Sequence, residues 1–271
     1  MTSGDTRAND YSPATKLKMA MRRLLQQRAL YFITPSVGTR VPSSAALVQI
    51  VEDAIRGGVD IIQWRQKPKT AELEALPELR AQWEQRSDAE PFLLPVAREI
   101  RALSKRHRVP FIVNDSLDLA LALNADGVHI GQTDSALRQV RQRVEAEKLQ
   151  DFIIGVTVRD GTQARAACEN GATYLGAGPV FSSSTKPEAN DGQTIGIEGL
   201  RECTLTANEY GVPVFAIGGI DMQHNRIQSC IADGHAAGVA VIAAISSASD
   251  REAATKAIRQ EIVRSIESKT V

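Results

Sequence analysis

From residue 29 onward the chain alternates short apolar runs with longer stretches in which apolar residues recur at helical spacing. The runs are Ala29–Thr34, Asp60–Gln66, Pro110–Asp115, Gly127–Gly131, Phe152–Val158, Tyr174–Phe181, Pro213–Ile220 and Gly238–Ile245. Most are near-continuous in apolar residues, the pattern of strands covered on both faces in a parallel sheet. After the first run, Ser43 or Ser44 can cap a helix whose face is Leu47, Ile50, Val51, Ala54 and Ile55, and Gly57-Gly58 can end it. Similar patterns over 116–124, 135–148, 161–170, 197–210, 223–232 and 249–267 predict the crossover helices that parallel neighbours require. Eight such units predict an α/β fold, a single (β/α)8 TIM barrel, which typically takes roughly 250 residues. The open doubly wound alternative would usually carry a GxGxxG turn after its first strand, and none stands there.

Two segments depart from the repeat. The 42 residues between Lys67 and Pro110 exceed one crossover helix, and Pro77, Pro91 and Pro95 divide them. Two helices joined by an irregular stretch near Arg86–Pro91 are expected there. Residues 1–28 form an N-terminal extension ahead of the barrel domain, 29–271. Its first 14 residues read as a polar, disordered lead. Residues 15–28 read as a helix, with Leu17, Met21, Leu24 and Leu25 on one face. This is taken as an extra helix packed on the domain. It lacks the apolar core of a signal peptide, and Asp5 and Asp10 argue against a mitochondrial presequence.

Composition narrows the classes. The 32 basic residues balance the 32 acidic ones, so the chain lacks the global charge of a non-specific nucleic-acid binder. No uninterrupted apolar stretch approaches the 18 or so residues of a membrane span. Cys168, Cys203 and Cys230 are too scattered for a disulfide framework or a zinc site. A reducing cytoplasm and small-molecule substrates are expected, with homo-oligomerisation left open.

A barrel of this kind places its active site at the C-terminal ends of its strands, and reactive residue types gather there. Strand two ends in Trp64-Arg65-Gln66-Lys67 and strand three in Asn114-Asp115; Asp134 follows strand four. Thr157 and Arg159 end strand five, and strand six runs into Ser182-Ser183-Ser184-Thr185-Lys186. Asp115 and Asp134, from adjacent strands, are candidate ligands for Mg²⁺, which prefers one or two carboxylates plus water and phosphate oxygens. Each also precedes a helix and is a candidate N-cap. Arg65, Lys67 and Lys186, beside hydroxyl donors, suit a diphosphate. Gly218-Gly219 after strand seven and Ala243-Ala244 after strand eight match a barrel phosphate site built from main-chain N–H groups. Two anionic sites in one mouth point to the joining of two phosphorylated substrates.

At these residues the chain resembles the thiamine-phosphate synthase family. The matching strings are Gln63–Lys67, Ile112–Asp115, Ala125–Gln132 with Asp134, Gly176–Phe181 leading to Thr185-Lys186, Ala216–Ile220 and Gly238–Ile245, in family order over roughly residues 29–265. The resemblance implies coupling of 4-amino-2-methyl-5-hydroxymethylpyrimidine diphosphate to hydroxyethylthiazole phosphate, with release of diphosphate. It implies Mg²⁺ on Asp115 and Asp134. It implies diphosphate on Arg65, Lys67, Asn114 and Lys186, helped by Thr157, Ser183 and Thr185. Gln63 and His129 would lie near the pyrimidine, and Gly218, Gly219, Ile242 and Ala243 at the thiazole phosphate. Departures are Thr157 and Ala243 where the family usually has serine, and Arg159 where histidine is common. A thiazole tautomerase-like paralogue is the alternative, disfavoured because an arginine is a poor proton shuttle. A non-catalytic phosphate-binding barrel is another. His107, His224 and His235 are assigned ordinary surface or core roles.

Overall fold

A computed structural model describes residues 29–38, 40–87, 91–131, 134–182 and 192–267, with only the backbone for Asp134, Ser135 and Glu267. The strands are β1 (Ala29–Ile33), β2 (Ile61–Trp64), β3 (Phe111–Asn114), β4 (Gly127–Ile130), β5 (Ile153–Val158), β6 (Tyr174–Ala177), β7 (Val214–Ile217) and β8 (Gly238–Val241). All pair in parallel with their sequence neighbours, and β8 pairs with β1 to close the barrel. The TIM-barrel fold expected from the apolar runs is the one observed. The expected N-terminal helix lies outside the described residues.

Closure explains the near-continuous apolar runs. Outward residues such as Leu30, Phe32, Ile62, Phe111 and Val113 pack under the helices. Inward residues Tyr31, Ile33, Ile61, Ile112, Ile153, Tyr174 and Phe215 fill the barrel. With both strand faces buried, a polar residue within a strand is the exception that needs a reason.

Helix α1 (Ser44–Gly57) begins where Ser43 Oγ accepts the Ala46 N–H at 3.1 Å, and ends at Gly58 in the left-handed region, φ 94°. Its neighbour in space is the last helix of the barrel, α11 (Arg251–Glu267), so the first and last crossovers meet at a seam. Arg251 Nη1 reaches Asp53 at 3.2 Å, Arg56 Nε reaches Glu252 at 3.2 Å, and Arg259 Nη1 reaches Asp60 at 3.0 Å. Gly57 lets the helices touch, for a Cβ there would lie 2.3 Å from Thr255 Cβ.

The long β2–β3 connection contains α2 (Thr70–Leu73), α3 (Pro77–Gln85) and α4 (Leu94–His107), one short helix more than the two expected. Pro77 and Pro95 lie in first turns, where a missing N–H costs nothing, so they open helices where a break was expected. Arg101 on α4 donates to both Asp126 carboxylate oxygens, at 2.8 and 3.2 Å, and Asp126 Oδ2 also accepts the Phe111 N–H at 2.8 Å. Arg101 and Asp126 side chains are only 16% and 23% exposed. Arg101→Met is expected to destabilise the fold by about 2 kcal/mol, since it strands a half-buried carboxylate; denaturant unfolding measures it.

The later helices are α5 (Leu117–Ala122), α6 (Asp134–Ala146), α7 (Gly161–Glu169), α8 (Gly196–Asn208), α9 (Arg226–Gln228) and α10 (Ala243–Ser246). The segment expected as one helix over 223–232 is instead α9 running into a π-helical turn, Ser229–Asp233. Among the described residues, no helix is long and apolar enough to cross a membrane.

Candidate active site

The polar exceptions within the strands face inward, near the strands' C-terminal ends. Gln63 on β2, Asn114 on β3, His129 on β4 and Thr157 on β5 line a cavity of about 540 Å³, within the range of small-molecule sites. Arg65 lines it from just beyond β2, and Gly218, Gly219, Ile242 and Ala243 line the β7–β8 side. One cavity thus joins most of the residues expected from the sequence.

Lys67 and Asp115 sit at the rim, outside the cavity wall, and form an ion pair with each other. Their side chains are 53% and 45% exposed, so the pair contributes little to stability and opens at small cost. Asp115 adopts a left-handed backbone, φ 64°, with its N–H donating to the His129 carbonyl at 2.7 Å. It does not cap the next helix. Ser116 does, its Oγ accepting the Leu119 N–H at 3.1 Å. Asp134 is the first residue of α6 and not a strand-end residue. Its side chain, like Ser183, Thr185 and Lys186, lies outside what the structure describes. Among the described residues, no group of three metal-ligating side chains converges.

On the β7–β8 side, Gly218 (φ 100°) and Gly219 (φ 64°) occupy the left-handed region. A Cβ on Gly219 would lie 2.3 Å from the Ser182 carbonyl oxygen, and one on Gly218 2.6 Å from Pro179. Only glycine fits this turn. Ala243 opens α10, so its N–H and that of Ala244 have no acceptor within the helix. Arg226 braces the turn, donating from Nη1 to the Gly219 carbonyl at 2.8 Å and to Asp221 at 3.1 Å, with its guanidinium over the Phe181 ring.

Four wall residues had no role in the sequence reading. Arg226 is one; nothing in a helix-start pattern singles it out. Arg159 is another, placed at the end of strand five and noted as a departure from the family but given no role: its Nε is buried and finds no hydrogen-bond acceptor among the described residues. Tyr31 and Tyr174 are the others, and they join the polar residues into one network. Gln63 Nε2 donates to Tyr31 Oη at 2.9 Å, and Tyr31 Oη lies 2.8 Å from Tyr174 Oη. Tyr174 Oη lies 2.8 Å from His129 Nδ1, and His129 Nε2 lies 2.9 Å from Thr157 Oγ1.

Burial dominates the electrostatics of this network. Desolvation pushes His129 down to about 4, only partly opposed by Asp115, so the imidazole is neutral at physiological pH. Desolvation raises both tyrosines above their ordinary range. The unfolded imidazole takes its proton near pH 6.5 and the folded one only near 4. The unfolded state therefore binds more protons through that window, and stability falls as pH drops from 6.5 to 4. The loss is on the order of 3 kcal/mol; a His129→Asn variant should lack it in urea titrations across the window. The cysteines take no part: burial pushes Cys168 up to about 11 and Cys203 and Cys230 up to about 12, leaving inert thiols.

A closed parallel barrel with cations, amides and a glycine turn around one mouth has the architecture in which TIM-barrel enzymes place their active sites. Comparison with known proteins narrows this. The family model described as thiamine monophosphate synthase matches residues 30–245. The chain is 36% identical over 246 residues to a thiamine-phosphate synthase of Geobacillus thermodenitrificans, covering 89% of this chain and 95% of that protein. It is 38% identical over 251 residues to one of Bacillus mycoides, covering 92% and 98%. A solved thiamine phosphate pyrophosphorylase from Pyrococcus furiosus superimposes with a TM-score of 0.66 at 28% identity, covering 90% of this chain and 98% of that one. The chain belongs to the thiamine monophosphate synthase family, transferases of thiamine biosynthesis.

Proposed function

We propose that the cavity joins 4-amino-2-methyl-5-hydroxymethylpyrimidine diphosphate to hydroxyethylthiazole phosphate, forming thiamine phosphate and diphosphate. The observation that carries this reading is the single cavity connecting the Arg65–Asn114–Thr157 wall to the Gly218–Gly219–Ala243 wall. The first wall suits a leaving diphosphate and the second a phosphate ester held by main-chain N–H groups.

The bond between the exocyclic methylene carbon and the diphosphate oxygen breaks, both electrons leaving with oxygen. The aminopyrimidine ring spreads the resulting positive charge. The thiazole nitrogen then gives its lone pair to the methylene carbon, so one C–N bond replaces one C–O bond and no proton moves. Such chemistry asks for charge stabilisation and proximity, with no base or protein nucleophile. The neutral His129 and the protonated tyrosines are consistent with that demand.

Arg65, Asn114 and Thr157 hold the diphosphate, with Lys67 released from its exposed pair with Asp115, and Lys186 as the further cation. Ser183 and Thr185 add hydroxyl donors, and the buried Nε–H of Arg159 takes a ligand oxygen. Gln63 and His129 face the pyrimidine; Gly218, Gly219, Ile242 and Ala243 face the thiazole phosphate. Asp115 beside Asn114 at the rim fits the donor set of Mg²⁺, which accepts one or two carboxylates with phosphate oxygens, and Asp134 is the second candidate. When bound, the ion supplies positive charge to the departing diphosphate.

The test is turnover of the two substrates by the purified protein with and without Mg²⁺, reading thiamine phosphate and diphosphate in equal amounts. Absence of coupling, or isomerisation of a thiazole carboxylate phosphate in its place, would overturn the reading.

A further inference from the structure

The hydrogen-bonded chain on the cavity floor has a direction, and that direction links its two ends. Gln63 lies at one end and Thr157 at the other, with Tyr31, Tyr174 and His129 between them. Each phenol has one proton to donate, and a neutral imidazole has one N–H. Gln63 Nε2 donates to Tyr31, and the Tyr31 proton finds its acceptor in Tyr174, the other group its hydroxyl meets among the described residues. Tyr174 then donates to His129 Nδ1, the imidazole proton sits on Nε2, and Nε2 donates to Thr157 Oγ1. The Thr157 hydroxyl proton is left for the cavity, as is the Gln63 carboxamide oxygen, since Nε2 is the amide atom turned to Tyr31.

The reverse arrangement satisfies the same contacts with opposite consequences. Thr157 would donate inward to His129, every proton would point the other way, and the Gln63 oxygen would face Tyr31. The cavity would then meet only lone pairs at Thr157 and an amide NH₂ at Gln63. A mixed arrangement makes one phenol accept from both neighbours and leaves its own buried proton with no acceptor among the described residues, which is costly.

The surroundings keep the chain intact. The Tyr31 and Tyr174 rings pack edge-on against Phe215, with centroids 5.6 and 5.7 Å away. Gly155 makes room for Tyr174: a Cβ there would lie 2.1 Å from Cζ and 2.3 Å from the phenol oxygen. A Cβ at Gly176 would lie 3.3 Å from His129 Cε1. Space is thus provided for the relay at two neighbouring strands.

We propose that Tyr31, Tyr174 and His129 are positioning residues that couple the donor at Thr157 to the acceptor at Gln63, and so select an aminopyrimidine over its oxo counterpart. This rests on the reading that places the diphosphate at Thr157 and the pyrimidine at Gln63. An anionic oxygen at Thr157 demands a donor there and fixes the observed direction. The same direction presents the Gln63 carbonyl oxygen, which accepts from an exocyclic amine and repels a ring carbonyl. The leaving group at one end of the substrate thereby sets how the ring at its other end is read.

The experiment compares kcat/KM for the 4-amino and 4-oxo pyrimidine diphosphates in the wild type, Tyr31→Phe, Tyr174→Phe and the double variant. Each single variant keeps the ring but breaks the relay, and is expected to lower the amino-to-oxo ratio about tenfold or more. The double variant should lower it no further, because a relay broken once is already broken. Nitrogen-15 NMR of the full wild-type chain saturated with inorganic diphosphate, assigned with His129→Asn, should show His129 as the Nε2–H tautomer alone, and Tyr174→Phe should mix the tautomers. This readout needs no variant to turn over. A wild-type Nδ1–H tautomer, or an unchanged ratio in both phenylalanine variants, overturns the relay. Gln63→Leu separates the two readings. If it leaves the ratio intact, the pyrimidine does not lie at Gln63 and both fall. If it erases the ratio while the phenylalanine variants keep it, only the relay falls.

Discussion

Arg65→Met is expected to lower kcat/KM for the pyrimidine diphosphate by roughly 10²–10³-fold, the usual cost of removing one group that stabilises developing charge. Arg65 stands just past β2 in the cavity wall, whereas Lys67 two residues on sits at the rim and spends its charge on Asp115. On the proposed reading Arg65 is the cation of this strand that the diphosphate meets in the cavity wall. Its planar fork can engage two phosphate oxygens, so lysine at position 65 should recover only part of the loss. The Arg65 backbone N–H donates to Thr34 Oγ1 at 2.9 Å, and that contact survives the substitution, so the thermal midpoint should stay within a few degrees. Steady-state kinetics with each substrate varied in turn checks the assignment. A variant with full activity would remove Arg65 from the site.

Gly219→Val is expected to raise KM for the thiazole phosphate about a hundredfold while leaving KM for the pyrimidine diphosphate little changed. At φ 64° a β-branched residue is strained by roughly 1–3 kcal/mol. The new Cβ would also begin 2.3 Å from the Ser182 oxygen and 2.8 Å from the Phe181 Cβ. The turn must open to relieve this, which displaces the main-chain N–H groups and the Arg226 brace on the Gly219 carbonyl. Substrate-specific KM changes measure the effect. An equal loss for both substrates would mean that the turn serves the whole barrel mouth and not one ligand.

The barrel was legible because both faces of every strand are buried, which leaves near-continuous apolar runs. Gln63 and His129 are legible only through the family resemblance; on the residues alone His129 reads as a satisfied core histidine. Tyr31 and Tyr174 are not legible. An aromatic in a buried strand reads as core, and these two lie 143 positions apart, meeting only when β1 and β6 face each other across the closed barrel. Their hydroxyls find partners that no local pattern can reveal. Asp115 taken singly reads as a helix cap, and beside Asn114 and the cations as a metal ligand; the left-handed backbone and the Ser116 cap decide against the cap. The connection after β2 reads as two helices because proline interrupts a helix interior, whereas Pro77 and Pro95 occupy first turns. The π-helical turn after α9 escaped because it preserves an apolar pattern while changing the hydrogen-bond step.

The seam where α1 meets α11 bears on how a newly made chain matures. Asp53 pairs with Arg251 as well as with Arg56 of its own helix, Asp60 pairs with Arg259, and β1 has no second neighbour until β8 exists. During synthesis β1 therefore waits with one edge open until β8 has left the ribosome. An exposed strand edge invites wrong pairing, so the nascent barrel depends on whatever shields β1 in that interval.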